Sequence, residues 1–211
     1  MMFGLGNART GLRRSAIEGA TGLVEFWPAL HGSPEHPEAK LGQIKHHLEF
    51  MGNGGSKWSA QQHQMEQMLA RVGELGGQVR LLLLRPDCEA CKEASRNRFP
   101  KEEDELPRRN TSSLMQLEKL RQRFPHLEIK LYEHAPFFRL TFTDIHTVSV
   151  GHYQKYWEDS TNTPLLVFKD GRDSNEWSFF VAFSRYFQEE WRDGDPLNSA
   201  DLDRLAEEYG L

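Results

Sequence analysis

The chain has 211 residues, net charge -5, 38% hydrophobic and 27% charged residues, which is ordinary for a water-soluble protein with one sizeable core. Its longest apolar runs, such as Leu81–Leu84, are far too short to span a bilayer, and the first residues lack a signal peptide's basic-then-apolar order. A cytoplasmic protein without membrane contact is therefore expected. The acidic balance makes nucleic acid an unlikely partner, because sequence-independent binding needs a basic face. The cluster running from Arg96 to Arg123 is interrupted by Glu102, Glu103, Asp104 and Glu105, and reads as a mixed solvated surface.

Residues 9–18 predict a short helix ended by Gly19, and Thr21–Trp27 a strand stopped by Pro28. From Ala29 to Ser56 the pattern is irregular, with His31, His36, His46 and His47 and a weak helical stretch over Ala39–Phe50. No acidic or Cys partner stands at a recognised ligand spacing, so no metal is expected there. Lys57–Leu75 carries a helical apolar stripe of Trp58, Met65, Met68, Leu69, Val72 and Leu75, closed by Gly76-Gly77.

Gln78–Leu84 then reads as a buried parallel strand. Cys88-Glu-Ala-Cys91 opens a helix that ends near Phe99-Pro100. Thr111-Ser-Ser113 is a good N-cap cluster for a helix closed by Pro125. Leu127–Tyr132 alternates as a strand. Pro164–Phe168 is a further strand, Glu176–Trp191 an aromatic-rich helix, and Ser199 starts a last helix.

Between these elements lies the stretch around which the chain is organised. Phe138, Leu140 and Phe142 alternate with Arg139, Thr141 and Thr143, and Thr147–Tyr153 alternates again. Two such runs turning near Asp144-Ile-His146 predict a hairpin, with Arg139 on a solvent-accessible side. The element order gives an α/β fold class, a single-domain sandwich of a mixed β-sheet flanked by helices.

The hairpin's spacing resembles the signature of the phospholipase D superfamily, His-x-Lys-x4-Asp with a glycine seven residues on. Arg139 stands in the Lys position, Asp144 in the Asp position and Gly151 in the Gly position, while Phe137 occupies the place of the catalytic histidine. The resemblance implies one phospholipase D-like half over about residues 15–191, with a helical extension over 192–211 in a single domain spanning 1–211. In active members the histidine attacks a phosphodiester and the lysine holds the phosphate oxygens. A phenyl ring can do neither, so the chain is read as leaning away from an enzyme.

The closest likeness is to degenerate members that serve bacterial regulation or signalling. For them the implied function is sensing a phosphate-bearing, nucleotide-like or other anionic ligand, with Arg139 and His152 as ligand-binding residues. Phe137, Asp144 and Gly151 form the structural motif, no cofactor is implied, and homodimerisation is expected. Two alternatives stay open. One is a phosphodiesterase or nuclease with a substitute histidine. The other is a thioredoxin-like thiol oxidoreductase using Cys88 and Cys91, a pair placed after a buried strand and followed by Thr163-Pro164.

Overall fold

The computed structural model describes residues 19, 21–144, 146–153, 162–170 and 178–211. Its strands are β1 (Leu23–Trp27), β2 (His47–Gly52), β3 (Gln78–Leu84), β4 (Leu127–Tyr132), β5 (Phe138–Thr143), β6 (Thr147–His152), β7 (Leu165–Lys169) and β8 (Asp195–Pro196). They form one eight-stranded mixed sheet in the order β1-β7-β6-β5-β2-β3-β4-β8. The β2, β3 and β4 pairings are parallel and the remainder antiparallel. The helices are α1 (Pro37–Lys40), α2 (Ser56–Ser59), α3 (Gln62–Glu74), α4 (Glu89–Arg98), α5 (Glu105–Arg123), α6 (Phe179–Asp193) and α7 (Ser199–Glu208).

Strand alternation divides the core into two layers. On one face Phe50, Leu81, Leu83 and Ile129 pack against Trp58 of α2, Met65, Met68 and Leu69 of α3, and Leu114 and Leu117 of α5. On the other, Leu82, Leu140, Phe142, Val148 and Phe168 meet Phe180, Phe183, Phe187 and Trp191 of α6. The aromatic face of α6 is thus used within the chain. Of the surface that prompted the expectation of a homodimer, Phe187 is fully buried, Phe180, Phe183 and Trp191 are half-buried, and Phe179 remains 48% exposed.

The predicted strands all form, and the hairpin strand β5 is central in the sheet. Several elements differ from expectation. The weak helix over Ala39–Phe50 is instead the four-residue α1 followed by β2. Glu49 disguised this strand, because its carboxylate is buried and offset by Arg80 and the Gln188 amide of α6.

The helix expected over Lys57–Leu75 breaks at Ala60-Gln61 into α2 and α3. Helix α5 begins at Glu105, so Thr111 and Ser113 lie inside it and bond back to the carbonyls of Pro107 and Arg109, each at 2.9 Å. Pro107 is tolerated in the first turn, where backbone N–H groups lack helical partners in any case. Asn198, not Ser199, caps α7, accepting from the Ala200 N–H at 2.9 Å. Residues 192–211 add β8 to the sheet and bury Leu197, Leu202 and Leu205. The helix expected at 9–18 and the start of that expected at 176 lie outside the described residues.

Candidate functional site

The hairpin register places Arg139 opposite Gly151. A Cβ on residue 151 would lie 2.6 Å from Nη2 of Arg139 and 3.1 Å from its Cζ. The guanidinium therefore lies across the strand where a side chain would otherwise stand, and only glycine leaves that space. Arg139 is 7% exposed, and both faces of β5 are buried beyond its first residue. This corrects the solvent-accessible reading. A polar strand face here marks a cavity wall, not the protein surface.

Part of the cover is the irregular segment before β2. Arg71 of α3 clamps it by donating from Nε to the Ile44 carbonyl at 2.7 Å and from Nη2 to the Leu41 carbonyl at 2.8 Å, while Leu41 and Ile44 enter the core. Pro37 opens α1 with its φ preset for a helix. The turn before it delivers Glu35 inward. Glu35 accepts from Lys40 Nζ at 2.6 Å and from the Ser149 hydroxyl of β6 at 2.5 Å, and both charged groups are buried.

The opposite wall comes from the chain leaving the carboxyl end of β2, where open α/β sheets place their ligands. Asn53 donates its backbone N–H to the Tyr153 hydroxyl at 3.0 Å and accepts on its carbonyl from Asn110 Nδ2 at 2.6 Å. The Asn53 side-chain oxygen is buried with no hydrogen-bond partner among the described residues. Burial holds the Tyr153 hydroxyl above its ordinary pKa, with nearby Arg139 opposing, so it stays neutral.

These walls enclose a cavity of about 330 Å³ that is lined by four basic side chains, Lys57, Arg98, Arg109 and Arg139, and one acidic side chain, Glu35. The size falls in the range of small-molecule sites. Phe99 gathers two of the cations at the wall, with Arg98 and Arg109 lying 5.4 Å and 4.9 Å from its ring centroid. Glu35, Asn53, Asn110 and Tyr153 were missed in the sequence. They come from four distant segments, and none carries a local motif.

The structure brings together Arg139 and Gly151, while the other sequence-derived residues stand elsewhere. His152 is exposed and pairs with Phe138 on the opposite strand face, its Nδ1 lying 3.2 Å from the Phe137 carbonyl oxygen. The Phe137 side chain is 69% exposed. Asp144 receives the backbone N–H groups of Lys45, His46 and His47, the last two at 2.8 and 2.5 Å, and so anchors the entry to β2. The histidine coupled to the cavity cations is His36. Burial and then the Lys57 charge lower its pKa, with Glu38 opposing and His31 and Arg139 adding smaller effects.

Cys88 and Cys91 are both free thiols. Burial raises the pKa of each, overriding the N–H bonds that Cys88 receives at the start of α4. A redox pair needs the reverse, a stabilised thiolate. Among the described residues no three His, Cys, Asp or Glu side chains converge as a metal site, and no helix is long and apolar enough to cross a membrane.

Fold and cavity define an α/β protein whose mixed eight-stranded sheet, flanked by helices, holds a cationic pocket beside a central hairpin. The chain belongs to the family described as domain of unknown function DUF5919, which matches residues 37–198. No curated protein matches it.

Among solved structures it resembles TrmBL2, an archaeal chromatin protein with a novel mode of DNA binding, at 11% identity and TM-score 0.51, over 90% of this chain and 64% of that one. It also resembles phosphatidylserine synthase of Haemophilus influenzae Rd KW20 at 14% identity and TM-score 0.51, over 82% of this chain and 39% of that one. The chain thus spans less than two thirds of either structure, and the second likeness is a distant one to a phospholipase D-superfamily enzyme fold. The first overturns the expectation that nucleic acid is an unlikely partner, since a DNA-binding chromatin protein shares this fold. Net charge describes the whole chain and does not exclude a local basic surface.

Proposed function

We propose that this chain is a non-catalytic, phospholipase D-like ligand-binding domain whose cavity takes a small phosphate-bearing or otherwise anionic ligand. The observation that carries the reading is the buried Arg139 guanidinium laid across Gly151 in a cavity with three further cations. A planar guanidinium grips a phosphate or carboxylate through two donors, and burial strengthens each charge-assisted bond. Glu35, whose carboxylate already accepts from Lys40 and Ser149, and Asn53 also line the cavity.

The non-catalytic part of the reading rests on Phe137, which has no proton to transfer and no lone pair with which to attack phosphorus. The role proposed for Asp144 is to fix the hairpin, a reading supported by the hydrogen bonds that its carboxylate accepts from the backbone N–H groups of His46 and His47. The single-domain reading over 1–211, with residues 15–191 as one phospholipase D-like half, is part of the same proposal.

Titration calorimetry with inorganic phosphate, nucleoside monophosphates and sugar phosphates tests the binding reading, with Arg139→Gln as control. Loss of one charge-assisted interaction of about 1.5–3 kcal/mol should weaken binding by about one to two orders of magnitude. Binding indifferent to that change removes the proposal. Hydrolysis of a phosphodiester panel, abolished by His36→Ala or His152→Ala, would establish an enzyme with a substitute histidine instead.

A further inference from the structure

A second cavity, of about 320 Å³, lies between α2 and α5 and shares Ser56 and Arg109 with the first. Its remaining wall mixes the polar Ser59, Arg108, Ser112, Ser113 and Gln116 with Ala60 and Leu211. Glu105 divides its carboxylate between the two arginines, accepting from Arg109 Nε at 2.5 Å and from Arg108 Nη2 at 3.3 Å. Arg109 is further held against the Phe99 ring. One cation is thereby pinned at the boundary of both cavities, while Arg108 lines the outer one alone.

We infer that the two cavities are compartments of one site for an elongated ligand bearing two separated anionic groups, one held at Arg139 and the other at Arg108, with Arg109 between them. This rests on the anionic-ligand reading of the inner cavity and adds the outer compartment and the doubly charged ligand class. Two charges at separate positions favour a ligand that meets both, because the second group binds intramolecularly at high effective concentration. A monoanion gains only the inner contacts. In the outer wall Ser59 and Ser113 donate to the backbone carbonyls of Ser56 and Arg109, and Ser112 and Gln116 add further polar groups suited to phosphate or carboxylate oxygens.

The test compares affinities within matched pairs, adenosine monophosphate against adenosine bisphosphate and fructose monophosphate against fructose bisphosphate. In at least one pair the doubly charged member should bind about tenfold or more tightly. Arg108→Ala should erase that advantage while leaving monophosphate affinity unchanged. Ser112→Glu, which places a negative charge in the outer compartment, should erase it as well. Arg139→Gln should weaken both members. Equal affinity within both pairs, or Arg108→Ala weakening both members equally, would overturn the two-compartment site while leaving the inner cavity's reading standing. Failure of all four ligands to bind would remove both.

Discussion

Gly151 and Arg139 act as one unit, because the absence of a side chain on one strand is what lets the guanidinium of the other lie flat. Gly151→Ala is therefore a sharper probe than removing the arginine. The added methyl would meet the flexible end of Arg139 at 2.6 Å, displacing the charge while keeping it in the cavity. Alanine also lowers the backbone entropy of the unfolded chain. Anion binding should fall at least about tenfold, with stability changed by less than about 1 kcal/mol, as read by calorimetry and by urea unfolding. Unchanged affinity would show that the guanidinium's position does not matter.

At the same scale, His36 sets a pH dependence. Its folded pKa is depressed, chiefly by burial and the Lys57 charge, so near its ordinary pKa the unfolded chain holds a proton that the folded chain does not. Stability should be level above the ordinary histidine pKa and decline as pH falls from there towards the folded value. His36→Gln should remove that component from urea midpoints measured between about pH 5 and 8. A bound anion offsets the Lys57 and Arg139 charges and raises the His36 pKa. Binding should accordingly take up protons and tighten as pH falls. Affinity that is flat with pH, or proton release on binding, would contradict this coupling.

Among the elements, the entry to β2 hangs on Asp144, which caps three successive backbone N–H groups. Asp144→Ala should cost at least about 1.5–3 kcal/mol, the worth of one charge-assisted bond, in denaturant unfolding. On the opposite face Phe187 is fully buried and meets Phe142 and Trp191 at ring-centroid separations of 5.6 and 6.0 Å. Phe187→Ala should cost about 3–5 kcal/mol.

The hairpin was legible in the sequence because its polar and apolar residues alternate strictly. That alternation says which residues share a face and nothing about what covers it. Arg139 accordingly read as solvent-facing, although a distant segment roofs its face of the hairpin and brings Glu35 to Ser149 at 2.5 Å. Strand β2 stayed hidden for a related reason. Its polar His47 and Glu49 resembled the outer side of a helix, while Glu49 is buried against Arg80 and Gln188. Asn110 lay before the expected start of its helix at Thr111–Ser113 and was overlooked, and only tertiary structure brings it to Asn53.

At the level of the whole molecule, an acidic chain carries a locally cationic interior. The sheet places the polar side of β5 and β6 on the same face as Phe50 and the α2, α3 and α5 layer, since Thr141 pairs with Phe50 across the β2–β5 boundary. Where the helical layer gives way to the segment before β2, a cavity opens at the carboxyl end of a central strand. The measurement that bears most directly on this is calorimetric titration of wild type, Arg139→Gln and Gly151→Ala with phosphate-bearing ligands. Wild type should bind at least one of them, and both variants should bind it at least about tenfold more weakly while remaining folded. Binding of equal strength in all three folded proteins would contradict the assignment of the cavity as an anion site.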